Sequence, residues 1–306
     1  MIKPVTAAVG KLLLRLLLLA GAVLAGALAL GPVVLKGQVD AFYGRFTTLP
    51  AGSLVLGTSR AAQGIQPAVL AARLGGQFEG PLLNYSFTLA HSPYGPAYLR
   101  SIRRKLRPTV KNGLFIVAVD PWSLSLTGPE GVFPEDNSFI GQLHQVSQNP
   151  NLAYLARYQT KPLYRLLLDY ATAIEHLHPD GWLEVRIGTD SAQVRARTAR
   201  KLLDYRRLAA SQHLSAGRLA ALRQTIAFLK LHGRVVLVRL PVGSSLLKLE
   251  QQYQPGFDQF IRKMAADYSL IYLDYSSQPY ATIDGNHLQR AASLAFTERL
   301  AADLTP

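Results

Sequence analysis

The chain contains no cysteine, which excludes disulfides, thiolate metal sites and a cysteine nucleophile. That absence does not fix a compartment, because an exported protein can do without disulfides. No phosphate-binding glycine loop and no dinucleotide fingerprint occur, so no cofactor is expected. His176-Leu177-His178, with Glu175 and Asp180 nearby, lacks the His-x-x-x-His spacing of a helical metal site, and no metal is expected either. No internal repeat or low-complexity tract is visible outside the N-terminus. Acidic residues are scarce, 19 against 33 lysines and arginines, for a net charge of +14. The basic residues concentrate in Arg100 to Lys111 and Arg195 to Arg207. Such basicity suggests nucleic acid at first sight, but a solvated helical face, anionic headgroups and envelope polymers are equally open readings.

The N-terminus decides among these. Leu16 to Leu35 is a run of 20 residues without a charge, long enough at about 1.5 Å per residue to cross a hydrocarbon core of roughly 30 Å. Lys3, Lys11 and Arg15 precede the run and only Lys36 follows closely. The positive-inside rule then leaves the N-terminus in the cytoplasm and exports the rest, which removes nucleic acid as a partner. Small-x-small cleavage patterns exist at Ala25-Gly26-Ala27 and Ala27-Leu28-Ala29. The run is longer than a signal-peptide core, however, and an uncleaved single-pass signal anchor over residues 1–36 is the expectation.

Residues 37–306 suffice for one sizeable α/β domain. Short runs rich in Val, Ile and Leu at Leu54–Leu56, Leu82–Asn84, Leu114–Val119, Arg234–Leu240 and Leu270–Asp274 alternate with helical patterns. Such alternation predicts a flavodoxin-like three-layer α/β/α sandwich around a parallel five-stranded sheet. Between the third and fourth strands the chain has few β-branched runs. Helical patterns at Leu152–His176, Ser191–Gln212 and Ala216–Leu231 predict a helical insertion over about 123–215, followed by a crossover helix, with Pro129, Pro134, Pro150, Pro162 and Pro179 breaking its first part into pieces.

Ligands of open parallel sheets bind outside the carboxyl ends of the strands. Ser59 follows the first strand in Gly57-Thr58-Ser59-Arg60, Asn84 ends the second, Asp120 follows the third, Arg239 closes the fourth, and Asp284-Gly285-Asn286-His287 follows the fifth. A serine on a strand-to-helix turn can present its hydroxyl for attack, and a late Asp-x-x-His can supply a base and the group that orients it. The same residues have plainer readings, Ser59 as a helix cap and Asp284 as the start of the closing helix. Their ordered arrangement along an α/β chain favours the chemical reading.

On these residues the chain resembles the SGNH (GDSL-like) hydrolase superfamily, in particular its membrane-anchored envelope branch of DltD-, AlgJ- and AlgX-type proteins. Gly57-Thr58-Ser59 matches the first block and Asp284-Gly285-Asn286-His287 the last, over roughly residues 50–120 and 230–306. Two blocks depart from the pattern. Asn84-Tyr85-Ser86 puts serine where the family has a glycine, and Val117-Ala118-Val119-Asp120 lacks the third-block asparagine that donates to the oxyanion.

The resemblance implies Ser59 as nucleophile, His287 as base and Asp284 as its orienting acid. The backbone N–H groups of Ser59 or Arg60, the Ser86 N–H and the Asn84 amide are the expected oxyanion donors, and Arg60 and Arg239 the expected substrate clamps. It further implies an extracytoplasmic serine esterase or O-acyltransferase acting on acyl esters of an envelope polysaccharide or related acylated polymer. Its partners would be the bilayer, through the N-terminal helix, and a multi-span membrane acyltransferase. The altered blocks keep open a degraded, non-catalytic accessory protein of the same fold.

Overall fold

The computed structural model describes residues 3–160, 162–168 and 174–305. Five strands, β1 (Ser53–Leu56), β2 (Leu82–Asn84), β3 (Gly113–Ala118), β4 (Gly233–Arg239) and β5 (Ile271–Asp274), form one sheet in the order β2-β1-β3-β4-β5. All neighbours are parallel, with Leu54 opposite Phe115, Phe115 opposite Val235 and Val236 opposite Ile271. This is the flavodoxin-like order, with its switch point between β1 and β3.

The strands read as continuous apolar runs because both faces are covered. Alternation sends Leu54, Leu56, Phe115, Val117, Val235 and Leu237 to one face. There they meet Tyr98 and Ile102 of one helix (Pro96–Lys105), Leu222 and Ile226 of a second (Ala216–Lys230) and Ile261 and Met264 of a third (Phe257–Asp267). Val55, Leu114, Ile116, Val236 and Val238 face the other way, onto Leu70 and Leu74 of Pro67–Leu74 and Phe296, Leu300 and Leu304 of Arg290–Leu304. The two faces together make the expected three-layer sandwich.

The N-terminal helix, α1 (Lys3–Leu35), is long and apolar enough to cross a membrane over its candidate span Ala8–Leu35, with a mean hydropathy of 2.3 and no buried residue in its most apolar 18-residue stretch. Its last turn joins the body. Val34 enters the core beside Leu30 and Val33, and Asn149 Nδ2 donates to Leu35 O at 2.7 Å.

The middle of the chain departs from the expected insertion of helices. The helical pattern at Leu152–His176 is broken into pieces, as the prolines of this segment predict. Its described parts are two short helices, Leu152–Arg157 and Leu163–Leu168, and the start of a strand, while residues 161 and 169–173 lie outside the described residues. Pro162, just before the second helix, has no N–H to continue the first. Two antiparallel ribbons also occur: Ser125–Thr127 with Gln212–Leu214, and Glu175–Leu177 with Leu183–Val185. Their three-residue strands carry almost no β-branched signal, and pairing across the fold rather than propensity makes them. The helix expected at Ser191–Gln212 is present as α2 (Ser191–Ser211).

Candidate active site

The site lies at the carboxyl edge of the sheet, beside the switch point. Gly57, between β1 and Ser59, has φ +147°, and a Cβ there would stand 2.9 Å from Ala118 Cβ and 3.1 Å from Ala61 Cβ. Only glycine lets the chain turn this tightly between strand and helix. The turn delivers Ser59 as the first residue of a short helix, Ser59–Gly64, with its side chain partly exposed. Among the described residues, the backbone N–H groups of Ser59 and Arg60 donate to no protein acceptor.

The second half comes from the loop between β5 and Arg290–Leu304. Asp284 Oδ1 accepts from the backbone N–H groups of Asn286, at 3.0 Å, and His287, at 2.9 Å, which folds Asp284 to His287 into a tight turn. Gly285, at φ +78°, lies under α2, where a Cβ would come 2.8 Å from Thr198 Cγ2. This turn sets His287 Nδ1 2.9 Å from Asp284 Oδ2 and His287 Nε2 2.9 Å from Ser59 Oγ. Lys201 Nζ of α2 stands 3.6 Å from the same Asp284 oxygen.

Burial alone would raise the Asp284 carboxyl. The hydrogen bond and charge of His287, with the two backbone donors, outweigh it and hold the group well below the usual carboxylate range. An ionised Asp284 can only accept, so Nδ1 of the neutral ring carries the proton and Nε2 presents its lone pair to the serine hydroxyl.

The four remaining candidates do not join this group. Asn84 Nδ2 donates to Ala61 O at 2.8 Å and Ile65 O at 2.9 Å, and its Oδ1 accepts from Ser86 N at 3.2 Å. Both amide protons, and the Ser86 N–H with them, are spent inside the fold, which corrects the expectation that Asn84 and Ser86 serve an oxyanion. The Ser86 hydroxyl donates to Val55 O at 3.3 Å.

Arg60 and Arg239 are buried, at 4% and 2% exposure, and share Glu250, which is 0% exposed. Arg60 NH2 lies 2.5 Å from Glu250 Oε1, Arg239 NH2 lies 2.9 Å from Oε2, and Arg239 NH1 pairs with Asp258. Burial pushes the Glu250 carboxyl up, but the two guanidinium charges overcome it and leave it below its ordinary value. Two arginines already committed to Glu250 and Asp258 are not substrate clamps.

Asp120 is likewise structural, accepting from Ser123 N at 2.9 Å. Trp122 joins the group around Glu250. Its Nε1 donates to Glu250 Oε1 at 2.7 Å while its ring stacks on Tyr253 at 4.7 Å.

Two participants escape sequence reasoning. Glu250 lies in a helix, Ser244–Tyr253, with no motif to mark it, and only the unpaired arginines of the sequence hint that a carboxylate must exist. Asn286 sits inside the Asp-x-x-His motif at a position the pattern leaves free. Its Oδ1 accepts from Arg60 Nε at 2.8 Å and its Nδ2 is 3.0 Å from His287 Nε2.

No protein-family model and no curated protein sequence matches the chain. Among solved structures it is similar to the native aryl esterase of M. smegmatis, at a TM-score of 0.39 and 13% identity over 82% of this chain and 96% of that one. It is also similar to a carbohydrate acetylesterase from Sinorhizobium meliloti, at a TM-score of 0.36 and 10% identity over 82% of this chain and 97% of that one. Likeness at these scores carries no argument, and the chemistry rests on the distances given above.

Proposed function

We propose that this chain is a membrane-anchored, extracytoplasmic serine esterase or O-acyltransferase of the SGNH type, acting on acyl esters of envelope polymers. The observation that carries the reading is the unbroken relay from Ser59 Oγ through His287 Nε2 and Nδ1 to Asp284 Oδ2, each link 2.9 Å long. Ser59 Oγ attacks the ester carbonyl while Nε2 takes its proton, and the imidazolium is held by the ionised Asp284. Collapse of the tetrahedral intermediate returns the proton to the departing alcohol. Water then attacks the acyl-serine in hydrolysis, or an acceptor hydroxyl in transfer. The backbone N–H groups of Ser59 and Arg60 suit the developing oxyanion.

The anchor reading rests on the uncharged run Leu16 to Leu35, which lies within the candidate span, and on Lys3, Lys11 and Arg15 before that run. An N-terminus in the cytoplasm would put the site on the outer face, where acylated polysaccharides and a multi-span acyltransferase partner would meet it. The spending of Asn84 and Ser86 inside the fold favours the second reading, a non-catalytic accessory protein. The two differ in one property, an activated serine. Full-length protein in detergent micelles, treated with a fluorophosphonate probe, should label in the wild type and lose the label in Ser59→Ala. Equal labelling of both, or none of the wild type, overturns the enzymatic reading.

A further inference from the structure

We propose that Asn286 supplies the carboxamide donor to the oxyanion formed at Ser59, reached from the histidine motif rather than from the end of β3. The inference rests on the serine-ester reading above. The end of β3 has no such group to offer, because Val119 is apolar and Asp120 accepts hydrogen bonds from its own turn. The carboxamide of Asn84 is spent on the fold. Asn286 is the amide that remains beside the reacting atoms. It is 1% exposed, and its Nδ2 stands 3.0 Å from the imidazole nitrogen that lies 2.9 Å from Ser59 Oγ.

The two ends of an amide are alike in shape, so their assignment must come from their partners. Arg60 settles it here. A guanidinium has donors only, so Arg60 Nε, at 2.8 Å, must meet Oδ1, and the NH2 must face His287. One of the two amide N–H groups then points at Nε2, and the other has no acceptor among the described residues. A buried donor left over next to a nucleophile is a group with capacity to spare.

The reaction frees the first donor as well. As the Oγ–C bond forms, the π pair of the ester carbonyl moves to oxygen and the serine proton moves to Nε2. The lone pair that the amide shared with the serine hydroxyl is then a bond to hydrogen. Both Asn286 N–H groups lack an acceptor at the moment when a full negative charge appears on the carbonyl oxygen, and that oxygen is what they can bind. Collapse restores the carbonyl, breaks the bond to the alcohol oxygen and returns the Nε2 proton to it, so the step balances without a co-reactant. Arg60 acts as a positioning residue: Nε holds the carboxamide, and NH2 is fixed on Glu250, which Arg239 holds from the other side.

The test uses full-length protein in detergent micelles with 4-nitrophenyl acetate, comparing wild type, Ser59→Ala and Asn286→Asp. The aspartate keeps the shape and the acceptor for Arg60 and removes only the donors. Because a carboxylate raises the basicity of a neighbouring imidazole, kcat is read on the alkaline plateau of each pH profile. The expected result is a kcat about 10²–10³-fold lower in Asn286→Asp, with KM within threefold. Should that variant fail to fold, Asn286→Ala, which offers no donor at all, is expected to show the same loss in its folded fraction. Wild-type kcat within threefold in the folded variant, while Ser59→Ala is inactive, overturns the role of Asn286 and leaves the serine reading standing. Wild-type turnover in Ser59→Ala overturns the serine reading, and this inference with it.

Discussion

Ser59 and Arg60 are adjacent in the chain and belong to opposite kinds of site. Ser59 is partly exposed and joins His287 and Asp284 through single hydrogen bonds that can be exchanged as a proton moves. Arg60, one residue on, is buried in a knot of Glu250, Arg239, Trp122 and Asn286 whose members hold one another in place. Both groups are polar and both gather at strand ends. What separates them is spare capacity: chemistry needs a donor or lone pair that can change partners, and in the knot both Glu250 oxygens are committed, to Arg60, Trp122 and Arg239. The knot instead supplies rigidity to the turn on which the relay depends, through the Arg60 to Asn286 bond.

That contrast is broken most directly by separating stability from labelling. Glu250→Gln leaves two buried guanidinium groups facing a neutral amide, and removing one partner of a buried ion pair costs about 3–5 kcal/mol. We expect denaturant unfolding of the full-length protein in micelles to show a loss of that size, whereas Ser59→Ala should change stability by less than about 1 kcal/mol while abolishing fluorophosphonate labelling. A Glu250→Gln protein as stable as wild type would remove the distinction between the two groups. Asn84→Ala is the next smaller effect. It leaves Ala61 O, Ile65 O and Ser86 N–H without their partner, at a cost of about 2–4 kcal/mol, and whatever remains folded should still take the probe. Lost labelling at unchanged stability would instead return Asn84 to the oxyanion role from which its hydrogen bonds exclude it.

The strands were legible in the sequence to within a residue or two, because a parallel sheet buried on both faces writes itself as short Val, Ile and Leu runs. The relay was legible for a related reason. Gly57 and Gly285 sit where the backbone must turn, and the polar residues beside them stand at known ends of known strands. Arg60 and Arg239 occupied equally suggestive strand ends and were read wrongly, since the partner that neutralises them, Glu250, lies 190 positions from Arg60 in a helix without a motif. Lys105 belongs to the same class. Within a basic run that reads as a solvated face, it is fully buried, with Nζ donating to Phe46 O, Thr48 O and Ser147 Oγ. Spacing reveals where a residue emerges from the sheet, but the partners that spend it are set by tertiary contact. The short ribbons of the middle segment escaped for that reason too.

The two histidines nearest this question extend the comparison to pH. His287 has a carboxylate on one nitrogen and a hydroxyl on the other, whereas His91 is packed between Phe42, at 4.7 Å, and Phe139, at 5.1 Å, with one 2.7 Å hydrogen bond shared with Thr88 Oγ1. Burial lowers the His91 imidazole from 6.5 to about 4. The unfolded chain therefore binds this proton more readily than the folded one. The contribution of His91 to stability is complete above pH 6.5 and is lost as the pH falls from there toward 4, by about 3 kcal/mol. Asp284 and Glu250 act in the same direction at lower pH: their carboxyls are held below their ordinary values, so their contribution is complete above the ordinary carboxylate range and is lost as the pH falls from there through the folded values. Unfolding measured between pH 7 and pH 4.5 should accordingly show a loss that His91→Gln flattens and Ser59→Ala leaves unchanged. A pH dependence that persists in His91→Gln would move the titrating group elsewhere and leave His91 as a packing residue alone.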